Sequence, residues 1–335
     1  MRDSPYRRGM DRRRFLCISA AGALAGPLAA GAQQPGKTAR VGWVAGHPGA
    51  LPTVSSLEAF RSGMRDRGWV DGKNLIIEAR WGDRDHAREL AAELVRSNVN
   101  VLVAQGPMVW GVRAEAGSTP VVFAFSGDPV EAKLVTSLAR PGGTVTGLTL
   151  LAFELVGKRL EILKEAFPGL VRIAILANVA HPGEQTELRA SQAAARKLGL
   201  TVQYVPVRTA RDFDAAFDAI VRERAEAIVA FPDALMMNQA KSIAEFAARH
   251  GIPTISGWPE FTVAGNLLSY GPHLEESWRT VIAGYVDRIL RGTPPGDLPV
   301  EQPTKFELVI NLKTARALGL TIPPSLLLRA DHVIE

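Results

Sequence analysis

Ile173-Ala174-Ile175-Leu176 and, further along the chain, Ala227-Ile228-Val229-Ala230-Phe231 are apolar at every position. A strand with one solvated face alternates apolar and polar residues. A run that is apolar on both faces suits the middle of a parallel sheet with helices packed on each side. Helix-length segments separate these runs. Glu184–Leu198, Asp212–Arg224 and Asn238–His250 alternate with strands at Arg172–Leu176, Thr201–Val207, Ala227–Phe231 and Pro253–Ser256. Strand–helix alternation of this kind predicts an α/β fold with right-handed crossovers.

The same rhythm precedes this half. Arg40–Ala45, Leu75–Trp81, Val99–Ala104, Val121–Phe125 and Thr144–Leu150 read as strands. Ser55–Gly68 reads as an amphipathic helix, with Leu57, Phe60 and Met64 on one face and Gly68 as its stop. Arg84–Ser97 reads as a second helix, and Glu154–Ala166 opens the later half. Two doubly wound units follow, with a boundary near Leu150–Glu154. The tail departs from the rhythm: a strand at Asn266–Gly271, a long helix at Glu275–Arg291, a Pro/Gly-rich stretch, a strand at Glu307–Asn311 and a helix at Thr314–Leu318. Such a tail can complete both units by crossing back between them.

The N-terminus reads as an address. Arg12-Arg13-Arg14-Phe15-Leu16 leads into a weakly apolar run, Ile18 to Leu28, and then Ala29-Ala30-Gly31-Ala32. A basic region, a short apolar region and a small-residue cleavage site in that order make an export signal, here of twin-arginine type, cleaved near Ala32. The run falls short of the ~20 residues a membrane span needs. Residues 1–32 hold six arginines against two aspartates, which is four of the five net positive charges of the chain. The mature protein is nearly neutral, so the basic balance does not imply a nucleic-acid partner. The single cysteine, Cys17, lies in the signal, leaving no disulfide and no thiolate metal ligand. The expected location is the periplasm.

In open parallel sheets, ligands bind beyond the carboxyl ends of the strands. That rule selects Gly46–Ala50, Gln105-Gly106-Pro107-Met108, Ser126-Gly127-Asp128-Pro129, Asn178–Gly183, Pro232-Asp233-Ala234, Gly257-Trp258-Pro259 and Tyr270-Gly271-Pro272. Backbone N–H groups at the helix starts there favour a carboxylate. Asp128 and Asp233 each have two readings: contact to a ligand amine or hydroxyl, or a helix N-cap. Trp110 and Trp258 either cover an apolar ligand face or pack; Trp43 and Trp81 read as core. Glu184 and Glu187 read as first-turn helix carboxylates. There is no G-x-S-x-G elbow, no G-x-x-x-x-G-K-[ST] loop and no G-x-G-x-x-G after the first strand. The six histidines have no metal-site spacing. Ser126 with His47 or His181 is the least poor nucleophile–base pair.

Several segments carry a resemblance. They are Gly68-Trp69-Val70-Asp71-Gly72-Lys73-Asn74, Ser126-Gly127-Asp128-Pro129-Val130, Leu138-Ala139-Arg140-Pro141-Gly142-Gly143, Ser269-Tyr270-Gly271-Pro272 and Gln302-Pro303-Thr304-Lys305-Phe306-Glu307. Together they resemble the ABC-transporter substrate-binding proteins of the tryptophan/phenylalanine-binding type, over essentially all of 38–335. The resemblance implies a type I periplasmic-binding-protein fold: two Rossmann-like doubly wound parallel-sheet lobes joined by three crossovers. It implies a first lobe of 38–150 plus 268–300 and a second of 151–267 plus 301–335. It implies a ligand carboxylate at the backbone of Gly106, Pro107 and Met108, with polar contacts from Asp128, Asn178 and Asp233. Ser126, Trp258 and Tyr270 complete the expected ligand-binding set. Met108-Val109-Trp110 and Ser256-Gly257-Trp258 depart from the common pattern within the expected cleft.

The resulting expectation is an exported, monomeric, non-enzymatic solute-binding protein that needs no cofactor. It captures an amino acid or an aromatic or carboxylate compound and delivers it to an ABC permease whose ATPase is a separate subunit. The alternatives are a secreted α/β hydrolase and a ligand-sensing module for a membrane receptor.

Overall fold

The computed structural model describes residues 38–46, 51–150, 152–181 and 183–335. The export signal with its cleavage point at Ala32, and His47, lie outside them. The first sheet comprises β1 (Ala39–Ala45), β2 (Leu75–Trp81), β3 (Val101–Gln105), β4 (Val121–Phe125) and β5 (Val145–Thr149). Its order is β2-β1-β3-β4-β5, with every neighbouring pair parallel. Helices α1 (Leu51–Asp66), α2 (Ala87–Arg96) and α3 (Val109–Glu115) connect its strands. Sequence periodicity gave no sign of α3, because its turns carry Val109, Trp110 and Val112 beside Gly111 rather than a long amphipathic stripe.

The second half continues with α4 (Ala152–Ala166), β6 (Arg172–Asn178), α5 (Glu184–Lys197), β7 (Thr201–Val207), α6 (Phe213–Arg222) and β8 (Ala227–Ala230). Then come α7 (Ala234–Asn238), α8 (Ala240–His250), β9 (Thr254–Ser256), α9 (Pro259–Val263) and β10 (Leu268–Pro272). The helix expected at Asn238–His250 is α8, beginning at Ala240, and a separate short helix that was not expected, α7, precedes it, capped by the Asp233 side chain, which accepts from the Met236 N–H. A long helical segment follows: α10 (Leu274–Ser277), one π-helical turn (Trp278–Ile282) and α11 (Ala283–Leu290). The chain ends with β11 (Phe306–Asn311), α12 (Leu312–Ala317), α13 (Pro324–Leu327) and β12 (His332–Ile334).

The second sheet has the order β12-β11-β10-β9-β8-β6-β7. All its pairs are parallel except β10–β11. That exception follows from the path of the chain. It leaves β10 at the cleft end, builds α10 to α11 on the other lobe, and re-enters from the cleft end, so β11 must run backward. Strand β10 therefore belongs to the second sheet. The expected assignment of 268–300 to the first lobe is corrected at its start: the share packed on the first sheet begins at Leu274. Trp278, Ile282 and Val286 join Trp43, Phe60 and Met64 in one buried cluster.

The apolar runs behave as expected of doubly covered strands. Every residue of β4 and β8 is buried, and each sheet has an apolar cluster on both faces. Trp43 is fully buried, its ring 5.4 Å from Phe60 and 5.0 Å from Trp278. Gly63 lets α1 approach the π turn: a Cβ there would lie 2.1 Å from the Arg279 carbonyl oxygen. Three crossovers join the lobes, after β5, after β10 and before β11. They hydrogen-bond to one another. The Thr149 N–H donates to the Glu301 carbonyl at 3.0 Å and the His273 N–H to the Lys305 carbonyl at 3.1 Å.

Candidate functional site

A cavity of about 380 Å³ opens between the two lobes. Its walls are the residues that follow strands. Gly46 follows β1, Gly82-Asp83-Arg84 follow β2, Gln105 to Met108 close β3, and Ser126 follows β4. From the second lobe come Asn178, Ala180 and His181 after β6, Arg208 after β7, Asp233 to Leu235 and Asn238 after β8, and Trp258 after β9. The carboxyl-end rule therefore holds in both lobes.

Of the expected binding residues, Gly106, Pro107, Met108, Ser126, Asn178, Asp233 and Trp258 line this cavity. Asp128 and Tyr270 do not. The Asp128 carboxylate turns back on its own loop, accepting from the N–H groups of Val130 at 2.7 Å and Glu131 at 3.1 Å. It is a turn cap. The Tyr270 ring stacks 6.3 Å from Phe306 and packs on the second lobe's core. Only its carbonyl nears the site, accepting from Arg159 Nε at 2.9 Å. Trp110 sits edge-on to Phe125 with the Arg84 guanidinium 5.8 Å from its ring centre, outside the cavity lining.

Arg84, Arg208, Leu235 and Asn238 were absent from the expected set. The signal for the first two was present: both follow strands, β2 and β7, whose carboxyl ends the expectation passed over. Leu235 and Asn238 enter on α7, the short unexpected helix that the Asp233 cap begins.

Asp233 is the polar centre of the second lobe's wall. One carboxylate oxygen accepts from the Met236 N–H at 2.8 Å, the other from Asn178 Nδ2 at 2.5 Å. Asn178 is itself held, its Oδ1 accepting from the Ala180 N–H at 2.9 Å. Burial pushes the Asp233 carboxyl above its ordinary range, against the opposing effects of His181 and these N–H donors. The cap reading of Asp233 is the one these contacts show, and since a carboxylate oxygen has two acceptor directions, acceptor capacity remains toward the cavity.

A layer of buried charge supports this wall. Arg159, on α4, is 1% exposed and lies 3.2 Å from Glu187, on α5, which is equally buried. Burial drives the Glu187 carboxyl up to about 7 despite the guanidinium beside it. Glu184 accepts from the Tyr204 hydroxyl at 2.5 Å and from Gln185 Nε2 at 2.6 Å. Gly257 and Gly271 make room above Arg159. A Cβ on Gly257 would lie 2.5 Å from an Arg159 nitrogen, and one on Gly271 only 1.7 Å from the Gly257 carbonyl oxygen. No sequence motif marked this layer.

The apolar part of the lining comes from both lobes: Pro107 and Met108 from the first, Leu235 and Trp258 from the second. Trp258 packs against buried clusters of both lobes. Ser126 Oγ lies 2.6 Å from His181 Nε2, across the lobes. His181 Nδ1 accepts from the Gly183 N–H at 3.3 Å, so the ring proton sits on Nε2 and is donated to Ser126. A general base would need the reverse, with Nε2 free to take the serine proton. The pair is not set up as nucleophile and base, and the hydrolase reading has no support. Among the described residues, no group of three or more His, Cys, Asp or Glu is arranged to hold a metal ion. Among them, too, no helix is long and apolar enough to cross a membrane.

A family model described as ABC transporter substrate binding protein matches residues 41–334. A tyrosine-binding protein of Clostridioides difficile (strain R20291) is 24% identical over 271 residues, which is 78% of this chain and 76% of that protein. A conserved domain protein of Vibrio cholerae superposes with a TM-score of 0.83 at 28% identity, covering 89% of this chain and 100% of the other. An ABC domain from Streptococcus pneumonia, solved in complex with L-Trp, superposes at 0.80 with 23% identity, covering 89% and 100%. A leucine-binding protein of Thermotoga maritima superposes at 0.56 with 15% identity over 70% of each chain.

Proposed function

The chain belongs to the ABC transporter substrate binding protein family, and from that premise we propose that it captures a free amino acid with an aromatic side chain in the interlobe cavity. The observation that carries this reading is the division of the cavity walls. Asp233 and Asn178 offer an acidic, hydrogen-bonding corner, and Pro107 and Met108 of the first lobe with Leu235 and Trp258 of the second offer an apolar slot. An α-ammonium group suits the corner, and a ring suits the slot. The α-carboxylate goes to the backbone at Gly106 to Met108, where a helical segment begins, with Arg84 and Arg208 as the nearby cations. The tyrosine-binding relative and the L-Trp complex support this class of ligand.

The role needs no bond to be made or broken. The lobes close on the solute by a hinge at the three crossovers, and a membrane permease with a separate ATPase receives it. The N-terminal signal takes the protein to the periplasm, where it works as a monomer. Calorimetry of the purified protein with L-tryptophan, L-tyrosine, L-phenylalanine and the remaining amino acids tests the reading. One-to-one binding of an aromatic member is expected. Turnover of any of them to a new product, or binding confined to non-aromatic solutes, overturns it.

A further inference from the structure

One contact in the cleft does more than line it. We propose that His181 is a positioning residue that ties solute capture to lobe closure, by carrying its ring N–H across the cleft to Ser126. The donor stands on the second lobe and the acceptor on the first. They meet at 2.6 Å, and both line the cavity. The imidazole does not find this pose by chance. The Gly183 N–H holds Nδ1, which leaves Nε2 as the protonated nitrogen facing Ser126. The Thr149 hydroxyl donates to the Gly127 carbonyl at 2.9 Å and steadies the loop that carries Ser126.

The surrounding contacts show a built seam. Gly127 and Gly183 touch across it, and a Cβ on Gly183 would lie 3.0 Å from the Gly127 Cα. Beyond them the Glu131 carboxylate accepts from the Thr186 hydroxyl at 2.9 Å and from Arg189 at 3.3 Å. The outer pair is exposed, where an ion pair contributes little and is screened by salt. The Ser126–His181 bond is partly buried and borders the cavity, so it is the part of the seam placed to respond to occupancy.

The chemistry of the ring makes the contact conditional. Neutral His181 satisfies both neighbours. Protonated, it brings a second N–H against the Gly183 N–H. The acids facing it are Asp233, at the start of α7, and Glu184, on α5; Arg84 and Arg208 border the same cavity. Burial outweighs the two carboxylates and holds His181 below its ordinary range. Opening exposes the ring and returns it toward ~6.5. The closed form therefore favours the neutral ring, and closure weakens as pH falls through that value.

The solute side of this inference rests on the proposed amino-acid reading, and the experiment separates the two. Spin labels at Glu89→Cys and Asp218→Cys, on exposed sites of α2 and α6 in a Cys17→Ser chain, report the interlobe distance with and without L-tryptophan or L-tyrosine. Calorimetry gives the affinity for the same amino acids. In the unmodified site, affinity is expected to drop roughly tenfold from about pH 8 to about pH 5, with the longer interlobe distance gaining population. His181→Gln keeps an N–H donor and does not titrate, so it should bind within about threefold of the parent at about pH 8 and lose that pH response. His181→Ala and Ser126→Ala should each weaken binding by roughly three- to tenfold and favour the longer distance. If neither amino acid binds while the distances still respond to pH and to His181→Ala, the latch stands and the ligand reading falls. If distances are the same in all four proteins, or the pH response survives in His181→Gln, the latch is wrong.

Discussion

The two lobes share a fold plan and differ in what they bury. In the first, the buried polar side chains among the described residues are hydroxyls: Ser56, Ser126, Thr146, Thr149 and Ser277. In the second they include Arg159, Glu184, Glu187, Asp233 and Glu307. The first lobe is an apolar platform, built on Trp43, Phe60 and Trp278, whose charged and amide groups at the cleft, Asp83, Arg84 and Gln105, stand on strand-end loops rather than in its core. The second carries charge into its interior and brings it to the cavity at Asp233. Burying charge is costly unless each group is paired. A lobe that keeps such a layer beneath a binding wall holds its acid in a fixed place and an adjustable protonation state. The difference lies in the interiors: both lobes bring polar and apolar side chains to the cavity, and only the second supports its share with buried charge.

The sharpest way to break the contrast is Arg159→Met. It leaves Glu187 buried without its cation and removes the donor to the Tyr270 carbonyl. A loss of about 3–5 kcal/mol is expected, seen by hydrogen exchange as early opening of second-lobe peptides while first-lobe peptides keep their protection. Adding Glu187→Leu should recover a large part of that loss. Full protection in the single variant would mean that the pair contributes nothing to the second lobe.

Next in size is the comparison of two aspartates. Asp233→Asn should weaken amino-acid binding by roughly ten- to a hundredfold, the range for a hydrogen bond to a charged group. Asp128→Asn should leave affinity within about twofold, because that carboxylate caps a turn outside the cavity. Equal losses in titrations of the two would overturn the placement of the ligand ammonium.

The most gradual effect is one of pH. The Glu187 carboxyl is raised from 4.5 to about 7, chiefly by burial. A carboxyl that holds its proton more tightly when folded stabilises the fold fully below its unfolded value, and that contribution is lost as pH rises through the folded one. Between about pH 4.5 and 7 the second lobe should progressively lose the stability this group contributes. Glu187→Gln should flatten that component in hydrogen exchange measured across the same range, while first-lobe peptides are unmoved by the substitution. An unchanged slope would assign the pH response to other groups.

Much of the fold was legible before any coordinates. Leu75–Trp81, Val121–Phe125 and Thr201–Val207 are strands over the residues that composition alone suggests. Runs apolar on both faces can only be satisfied inside a covered parallel sheet, so their local pattern carries global information. The returning tail was legible too, but the membership of β10 was not. Leu268–Pro272 is a strand in either lobe, and only its pairing with β9 and β11 settles which. The site divides in the same way. Asp128 and Asp233 sit in equivalent positions after strands, with the same side chain and the same capping chemistry.

The amino-acid sequence by itself determined the α/β class, the two units, the strand-end loops and the residue types available at the cleft, because these depend on short-range periodicity and turn chemistry. The tertiary structure alone decided which loop side chains face the cavity, that Arg159 meets Glu187, and that His181 reaches Ser126. Each of those pairings joins residues on different elements, and their meeting depends on sheet order, lobe closure and close glycine approaches that no local pattern encodes.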